Sequence, residues 1–184
     1  MDDGRLQRIL HSWPKYHELD TLLKRFLTEG EKWELKQSEL SSDNPDSTFF
    51  ARYFPVYELF AGTKPSDNLN LIDLEIASRS YKLFGSFSLT QFPGCCGIMV
   101  SYHAKVYKQF RKAGLGTLLN QLRMHIAKRE GYTYLMATDI INNEPQRKVL
   151  AKNGWEDILK FTNLRTGNPL ALSIIELNVG TCEK

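Results

Sequence analysis

The chain has 184 residues, of which 42% are hydrophobic and 24% are charged, and its formal net charge is +3. Such values are typical of one soluble globular domain, and no apolar stretch approaches the roughly 18–20 residues that cross a bilayer. The first residues are acidic and lack the basic and apolar regions of a secretory signal. We therefore expect a cytoplasmic protein without a membrane partner.

The cysteines and histidines do not predict a metal site. Cys95, Cys96 and Cys182, together with the four histidines, show no spacing typical of metal ligands. Adjacent Cys95 and Cys96 would point to opposite faces of a strand, so they are poor partners for a disulfide. We predict free thiols and no bound metal.

The first third of the chain predicts two short helices and then an ambiguous region. Apolar residues recur at three- and four-residue spacing over residues 6–13 and again over residues 19–27, with a proline between the two runs. A strand could lie in residues 33–40 or in residues 49–57. The second of these segments is aromatic and could also form a short helix.

The middle of the chain predicts an antiparallel meander. Strand candidates are residues 69–77, 80–90 and 97–106, and Pro93 and Gly94 form a turn between the second and the third. Short connections of this kind join antiparallel neighbours.

The last part of the chain predicts a crossover and two final strands. Apolar residues over residues 115–126 mark one face of a helix of about four turns. A mostly apolar strand follows over residues 132–138, then a helix with Asn143 as N-cap, then strands near residues 155–162 and 170–177. We predict a single-domain α/β (α+β) fold with a mixed central sheet, in which an antiparallel meander precedes a βαβ crossover and helices cover both faces.

Residues 111–116, Arg-Lys-Ala-Gly-Leu-Gly, join the third predicted strand to the long helix, and we call them the glycine turn. The first N–H groups of a helix have no intrahelical acceptor, and the helix dipole adds roughly half a positive charge there. Gly114 and Gly116 let the backbone approach a ligand, and Arg111 and Lys112 add charge, which together predict a phosphate site. Close packing is the alternative role for the glycines. The pattern matches neither a P-loop nor a Rossmann fingerprint.

The glycine turn resembles the Gln/Arg-x-x-Gly-x-Gly/Ala motif of GNAT-type N-acyltransferases. Downstream, the segment from Asn143 to Trp155 (Asn-Glu-Pro-Gln, then Leu-x-x-x-Gly-Trp) is similar to the family's Asn-x-x-Ala and Tyr-x-x-x-Gly-Phe segments. The resemblance covers about residues 70–178. It implies an acetyl-CoA-dependent N-acetyltransferase that moves an acetyl group directly to a primary amine of a small molecule or a protein.

The resemblance also implies where each substrate binds within one domain over residues 1–184. Residues 69–178 would form the acetyl-CoA-binding core, and residues 1–68 a variable part that shapes the acceptor site. The backbone around Ala104, Lys105 and Val106 would pair with the pantetheine arm. Asn143 would contact the cofactor or an ordered water. The N–H groups that would hold the pyrophosphate, with Arg111 close by, are those of Lys112, Ala113, Gly114, Leu115, Gly116 and Thr117.

The catalytic groups follow less directly from the family pattern. Leu150 stands where the family often has a tyrosine, so another group must protonate the leaving thiolate. The amine must also lose a proton before attack, because the pKa of an alkylammonium is about 10.4. The candidates for these proton transfers are Tyr102, His103 and Asp139. His103 faces away from Tyr102 unless a bulge reverses the alternation of side chains along the strand. Asp139, at the end of the buried strand, could instead cap the following loop.

Two other functions stay open at this point. One is a GNAT-like binding module that is catalytically weak or inactive, which Leu150 would support. The other is a basic nucleic-acid or protein interaction domain that uses the positive cluster between Lys105 and Lys112. It would need aromatic rings that stack on bases, and only Tyr107 and Phe110 are interleaved with these charges. We do not expect a nucleic-acid partner, and the sequence leaves a homodimer open.

Overall fold

The computed structural model describes residues 3–39, 55–62 and 81–177. The helices in these ranges are α1 (Asp3–His11), α2 (Tyr16–Lys24), α3 (Leu115–Arg129) and α4 (Glu144–Lys152), and a 3-10 helix (Lys108–Phe110) precedes α3. The strands are β1 (Trp33–Glu39), β2 (Pro55–Ala61), β3 (Lys82–Gln91), β4 (Ile98–Val106), β5 (Tyr134–Ile140), β6 (Glu156–Thr162) and β7 (Pro169–Glu176).

The strands form one mixed sheet in the order β1-β2-β3-β4-β5-β7-β6. β4 and β5 are parallel, with Ile98 opposite Tyr134 and Ser101 opposite Ala137. The other neighbouring pairs are antiparallel. A parallel pair needs a crossover connection, and α3 provides it. The predicted mixed sheet, with an antiparallel meander before a βαβ crossover, is confirmed.

The ambiguous N-terminal region contains a strand at the edge of this sheet. The segment predicted at residues 33–40 is β1, and the last part of residues 49–57 belongs to β2. Residues 49–54 and the strand predicted at residues 69–77 lie outside the described residues. The second helix is shorter than its apolar spacing suggests. It ends at Lys24, after which three N–H groups in succession bond to carbonyls three residues earlier.

A continuous apolar core joins the helices to the sheet. Helices α1, α2 and α4 each contact α3, so the described residues show helices against one face of the sheet. Fully buried side chains include Leu6, Leu19, Leu35, Leu122 and Ile126. Each such side chain stabilises the fold by about 1.5–3 kcal/mol relative to an exposed one. No described helix is long and apolar enough to span a membrane.

β4 carries a bulge close to the point where it leaves β5. Ser86 of β3 pairs with Lys105 and Ser88 pairs with Tyr102, so one residue of β3 faces two of β4, His103 and Ala104. His103 has a φ of 54°. Since one extra residue reverses the alternation of side chains, the bulge changes which faces the following residues occupy.

Candidate functional site

A cleft opens where β4 and β5 separate. The strands pair only as far as Ser101 and Ala137, although β4 continues to Val106 and β5 to Ile140. The space between them, which we call the cleft, has a volume of about 220 Å³. Beyond Ser101 the edge of β4 that faces β5 has no strand partner among the described residues, so its backbone polar groups are available to a ligand. Polar side chains that line the cleft include Tyr102, His103, Arg123, Asp139, Asn143 and Gln146.

A smaller groove lies between the end of β4 and the first turn of α3. Lys105 and Val106 line it from the strand, and Gly116 lines it from the helix. Ala104, Arg123 and Gln146 line both the groove and the cleft. The glycine turn is therefore next to the place where the two parallel strands separate.

The glycine turn presents free donors at the N-terminus of α3. Gly114 is the N-cap residue, with a φ of 91°, and its carbonyl accepts from the N–H groups of Thr117 and Leu118 at 3.0 and 3.3 Å. In the described part of the chain, no backbone carbonyl accepts from the N–H groups of residues 112–116. Free N–H groups at a helix start favour an anion. The N–H of Thr117, which the sequence included among these donors, donates to the Gly114 carbonyl.

Close packing does not explain the two glycines of the turn. A Cβ at Gly114 would have nothing within 4 Å, and one at Gly116 would lie 3.9 Å from Val106 and Val149, which is ordinary contact. Arg111 is fixed across the turn, since its Nε donates to the carbonyl of Val106 at 2.9 Å. The turn thus combines open space, free N–H groups and a positioned cation.

Tyr102 and His103, predicted as catalytic candidates, both line the cleft. Their rings meet edge to face, with centroids 5.4 Å apart. Burial raises the pKa of the Tyr102 hydroxyl well above its usual value, so the group is protonated at neutral pH. Tyr102 is therefore a poor base, and its hydroxyl is a weaker acid than that of an exposed tyrosine. His103 is exposed and lies in the bulge. The residue with the positive φ of 54° is therefore one of those that line the cleft.

Asp139 also lines the cleft, but its carboxylate is already engaged. Arg147 of α4 lies 3.3 Å from it, and the Ser173 hydroxyl donates to it at 3.5 Å. Arg147 also pairs with Asp157 of β6. We call these four residues the Arg147 network. Burial raises the pKa of Asp139, and Arg147 opposes that rise. The alternative that Asp139 caps the following loop finds no support in these partners.

The start of α4 matches the prediction in position but not in bonding. Asn143 occupies the N-cap position, yet its side chain makes no capping hydrogen bond, and it lines the cleft instead. Leu150 is buried in the core, with 1% of its surface exposed. The position where the family often has a tyrosine therefore packs the core and offers no proton donor.

The aromatic residues near the basic cluster are not open to nucleic-acid bases. Phe110 is buried, and its ring packs against those of Phe26 and Phe84. The Lys105 ammonium lies over the Tyr107 ring, 4.4 Å from its centre. Phe110 is therefore unavailable for stacking and one face of the Tyr107 ring is already covered, which argues against the nucleic-acid alternative.

Arg123 is a site residue that the sequence reasoning missed. It is buried, with 3% of its surface exposed, and its Nη1 donates to the Ser101 hydroxyl at 2.7 Å. A signal was present, because Arg123 lies four residues after Leu119 and three before Ile126 and so belongs to the buried face of α3. Asp157 and Ser173, which contact Arg147, were also missed, and the sequence carried no such signal for them because they lie on separate strands.

The sequence also predicted free thiols and no bound metal. No group of three or more histidine, cysteine, aspartate or glutamate side chains in the described ranges could hold a metal ion. Cys95 and Cys96 are free thiols, and Cys182 lies outside those ranges.

Comparisons with known proteins identify the fold. No family model matches the sequence, and no curated protein matches it. The IAA acetyltransferase from Bacillus cereus ATCC 14579 superposes with a TM-score of 0.53 over 79% of this chain and 99% of its own, at 14% identity. A protein from Desulfovibrio desulfuricans assigned to the GNAT family of acetyltransferases gives 0.49 over 66% and 69%, at 17% identity. The yncA protein of Salmonella typhimurium, whose structure contains its cofactor acetyl-CoA, gives 0.49 over 68% and 65%, at 13% identity.

The sheet has a parallel pair that separates beside the N-terminus of the crossover helix. The chain shares its fold with the IAA acetyltransferase from Bacillus cereus ATCC 14579. At these identities the similarity concerns the fold, and the activity rests on the site itself.

Proposed function

We propose that the chain is an acetyl-CoA-dependent N-acetyltransferase that moves an acetyl group directly to a primary amine of a small molecule or a protein. The observation that carries the proposal is the separation of β4 and β5 beside the glycine turn. An unpaired strand edge accepts an extended chain of amide groups, and a helix N-terminus accepts phosphate. Acetyl-CoA contains both an extended chain of amide groups and a pyrophosphate in one molecule.

In this proposal the donor lies along the end of β4. The free N–H groups of residues 112–116 and the guanidinium of Arg111 bind the pyrophosphate. The backbone of residues 104–106 pairs with the amides of the pantetheine arm, as an added strand would. The side-chain amide of Asn143, which is not used as a helix cap, contacts the donor from the other side of the cleft.

The acetyl transfer needs one proton acceptor and one proton donor. The amine nitrogen attacks the thioester carbonyl carbon, so a C–N bond forms as the C–S bond breaks. The amine loses a proton to a base, and the leaving thiolate gains one. Tyr102, which lines the cleft, is the candidate donor of the second proton, since its hydroxyl is protonated at neutral pH. Asp139 and His103 are the candidate bases, and the ion pair of Asp139 with Arg147 favours His103.

Thermal unfolding with and without acetyl-CoA tests the donor site. A ligand at about 100 times its Kd adds roughly 2.7 kcal/mol, which corresponds to a rise in Tm of about 5–10 °C for a chain of this size. ATP and NAD are the controls, since both carry phosphates but no pantetheine arm. We expect a saturable rise with acetyl-CoA alone, and thiol release from acetyl-CoA when primary amines are added.

Each other outcome would change the assignment. A rise in Tm without thiol release for any amine would indicate the catalytically weak or inactive binding module. The absence of a rise at millimolar acetyl-CoA would contradict the donor site. Binding of oligonucleotides that weakens with salt and that acetyl-CoA does not displace would favour the nucleic-acid alternative.

A homodimer stays a prediction. β6 is an edge strand whose residues are all exposed, and Ile158, Leu159 and Phe161 are apolar. Contact between two copies would be sought first at this strand.

A further inference from the structure

Arg123 lies at the base of the cleft, where β4 and β5 stop pairing. Its Nη1 donates to the hydroxyl of Ser101, the last residue of β4 that is paired with β5. Its Nη2 donates to the side-chain oxygen of Asn120. Both partners are neutral, and Nε is buried without a hydrogen-bond partner in the described residues. The guanidinium therefore keeps donor capacity that the protein does not use.

The positive charge of Arg123 has no carboxylate partner in the described ranges. The two acidic side chains of the Arg147 network, Asp139 and Asp157, are both paired with Arg147. Burial is the sole cause that lowers the pKa of Arg123, to about 10, so the side chain stays charged at neutral pH. A buried cation without a countercharge is unfavourable, and a bound anion would relieve this.

Arg123 is in reach of both substrates in the proposed reaction. It lines the cleft and also the groove beside the end of β4. The acyl group of the donor and the amine of the acceptor have to meet where these two spaces adjoin. An anionic group on either substrate could therefore approach Arg123.

We propose that Arg123 binds a carboxylate group of one of the two substrates, so that the cleft selects a substrate that carries a carboxylate near its reacting atoms. The inference rests on the proposed function, because it places the acyl group and the amine in the cleft. The carboxylate belongs either to the acyl group, as in a succinyl thioester, or to an amino-acid acceptor. A guanidinium suits this ligand because its planar donors match the two carboxylate oxygens.

Matched ligand pairs separate the two sources. Succinyl-CoA and butyryl-CoA have acyl chains of equal length and differ in a terminal carboxylate. β-Alanine and propylamine differ in the same way, and they are titrated into the protein loaded with coenzyme A. By isothermal titration we expect the carboxylate member of one pair to bind at least about 10-fold more tightly than its neutral match. A preference in the first pair assigns the carboxylate to the donor, and one in the second pair assigns it to the acceptor.

Arg123→Met and Arg123→Lys test whether this preference depends on the guanidinium. The preference is expected to disappear in Arg123→Met and to be partly kept in Arg123→Lys, which retains a charge. Circular dichroism establishes that each variant is folded. If Arg123→Met does not fold, the matched pairs are compared between the wild type and Arg123→Lys, and a preference that does not weaken in Arg123→Lys overturns the inference.

The failure of this inference differs from the failure of the proposed function. Equal affinities within both pairs would overturn the role of Arg123, while binding of coenzyme A would leave the proposed function standing. If neither coenzyme A nor its esters bind, the proposed function is wrong. Titration of the ligand-free chain with succinate then decides the inference. The inference is overturned if succinate does not bind, or if it binds equally well to Arg123→Met.

Discussion

At Gly114 the backbone has a φ of 91°, in the left-handed region. Any other residue there would lose roughly 1–2 kcal/mol, because its Cβ would crowd the following carbonyl. Space itself is not limiting, since nothing lies within 4 Å of a Cβ at this position. The backbone angle therefore requires the glycine, and the open space beside it is available to a phosphate.

Gly114→Glu is expected to abolish acetyl-CoA binding in a chain that stays folded. The new carboxylate would repel the pyrophosphate at the helix N-terminus, and the backbone strain of about 1–2 kcal/mol is too small to unfold most domains. Isothermal titration measures the binding, and circular dichroism measures the fold.

Gly94→Glu is the matched control for this variant. Gly94 has a φ of 76° and also has nothing within 4 Å of its Cβ position, but it lies in the turn between β3 and β4, at the other end of β4. It should lose similar stability and bind acetyl-CoA as the wild type does. Unchanged affinity in folded Gly114→Glu would mean that the donor binds elsewhere.

At the scale of secondary-structure elements, β3, β4 and α3 come close together at Gly85. A Cβ there would come within 2.5 Å of Leu119 Cδ1 and 2.8 Å of the Lys105 carbonyl oxygen. Gly85 pairs with Val106, the last residue of β4, so the contact lies directly behind the groove. The absence of a side chain at Gly85 thus lets α3 approach the sheet at the site.

Gly85→Ala is expected to lower the free energy of unfolding by about 1–3 kcal/mol, because a methyl group there overpacks the junction. Gly97→Ala is the control, since its nearest neighbour would be Thr133 Oγ1 at 4.0 Å. That change should stay within about 0.5 kcal/mol of the wild type. Urea unfolding measures both. Equal stability of the two variants would show that α3 can move away from the sheet without loss.

Over the whole molecule, the Arg147 network connects the C-terminal elements around the cleft. Arg147 of α4 joins Asp139 of β5 to Asp157 of β6. The Ser173 hydroxyl of β7 lies 2.9 Å from the Asp157 carboxylate and 3.5 Å from that of Asp139, and it can donate its one proton to either. The hydrogen bond with Arg147 is the main cause that lowers the pKa of Asp157. The ionised form of Asp157 therefore stabilises the folded chain, by about 1–2 kcal/mol for a partly exposed charged pair.

Asp157→Asn is expected to lose this stabilisation at pH 7. Because the pKa of Asp157 is lower in the folded chain than in the unfolded one, the contribution is fully present above the ordinary value of about 3.9. It is lost as the pH falls below that value and through the folded one. Urea unfolding at several pH values should show a gap between wild type and variant that narrows below about pH 4. A gap that stays constant would assign the loss to packing.

The sequence predicted those parts of the fold that depend on neighbours along the chain. The helix over residues 115–126 and the strand over residues 97–106 follow from apolar spacing, and both are present as α3 and β4. The glycine turn between them was recognisable because a helix N-terminus needs its donors satisfied within a few residues. The candidates Tyr102, His103 and Asp139 lie together in the cleft, as expected for the ends of adjacent parallel strands.

Only the tertiary structure decided how distant segments meet. β7 inserts between β5 and β6, the bulge at His103 changes the faces of β4, and Arg123 comes to lie buried beneath Ser101. Local spacing carries no information on these contacts, because each depends on packing between residues that are far apart in the chain. By itself, the sequence determined the local elements and the position of the glycine turn. The folded chain determined which charges are buried at the cleft, because burial depends on the elements that pack around each charge.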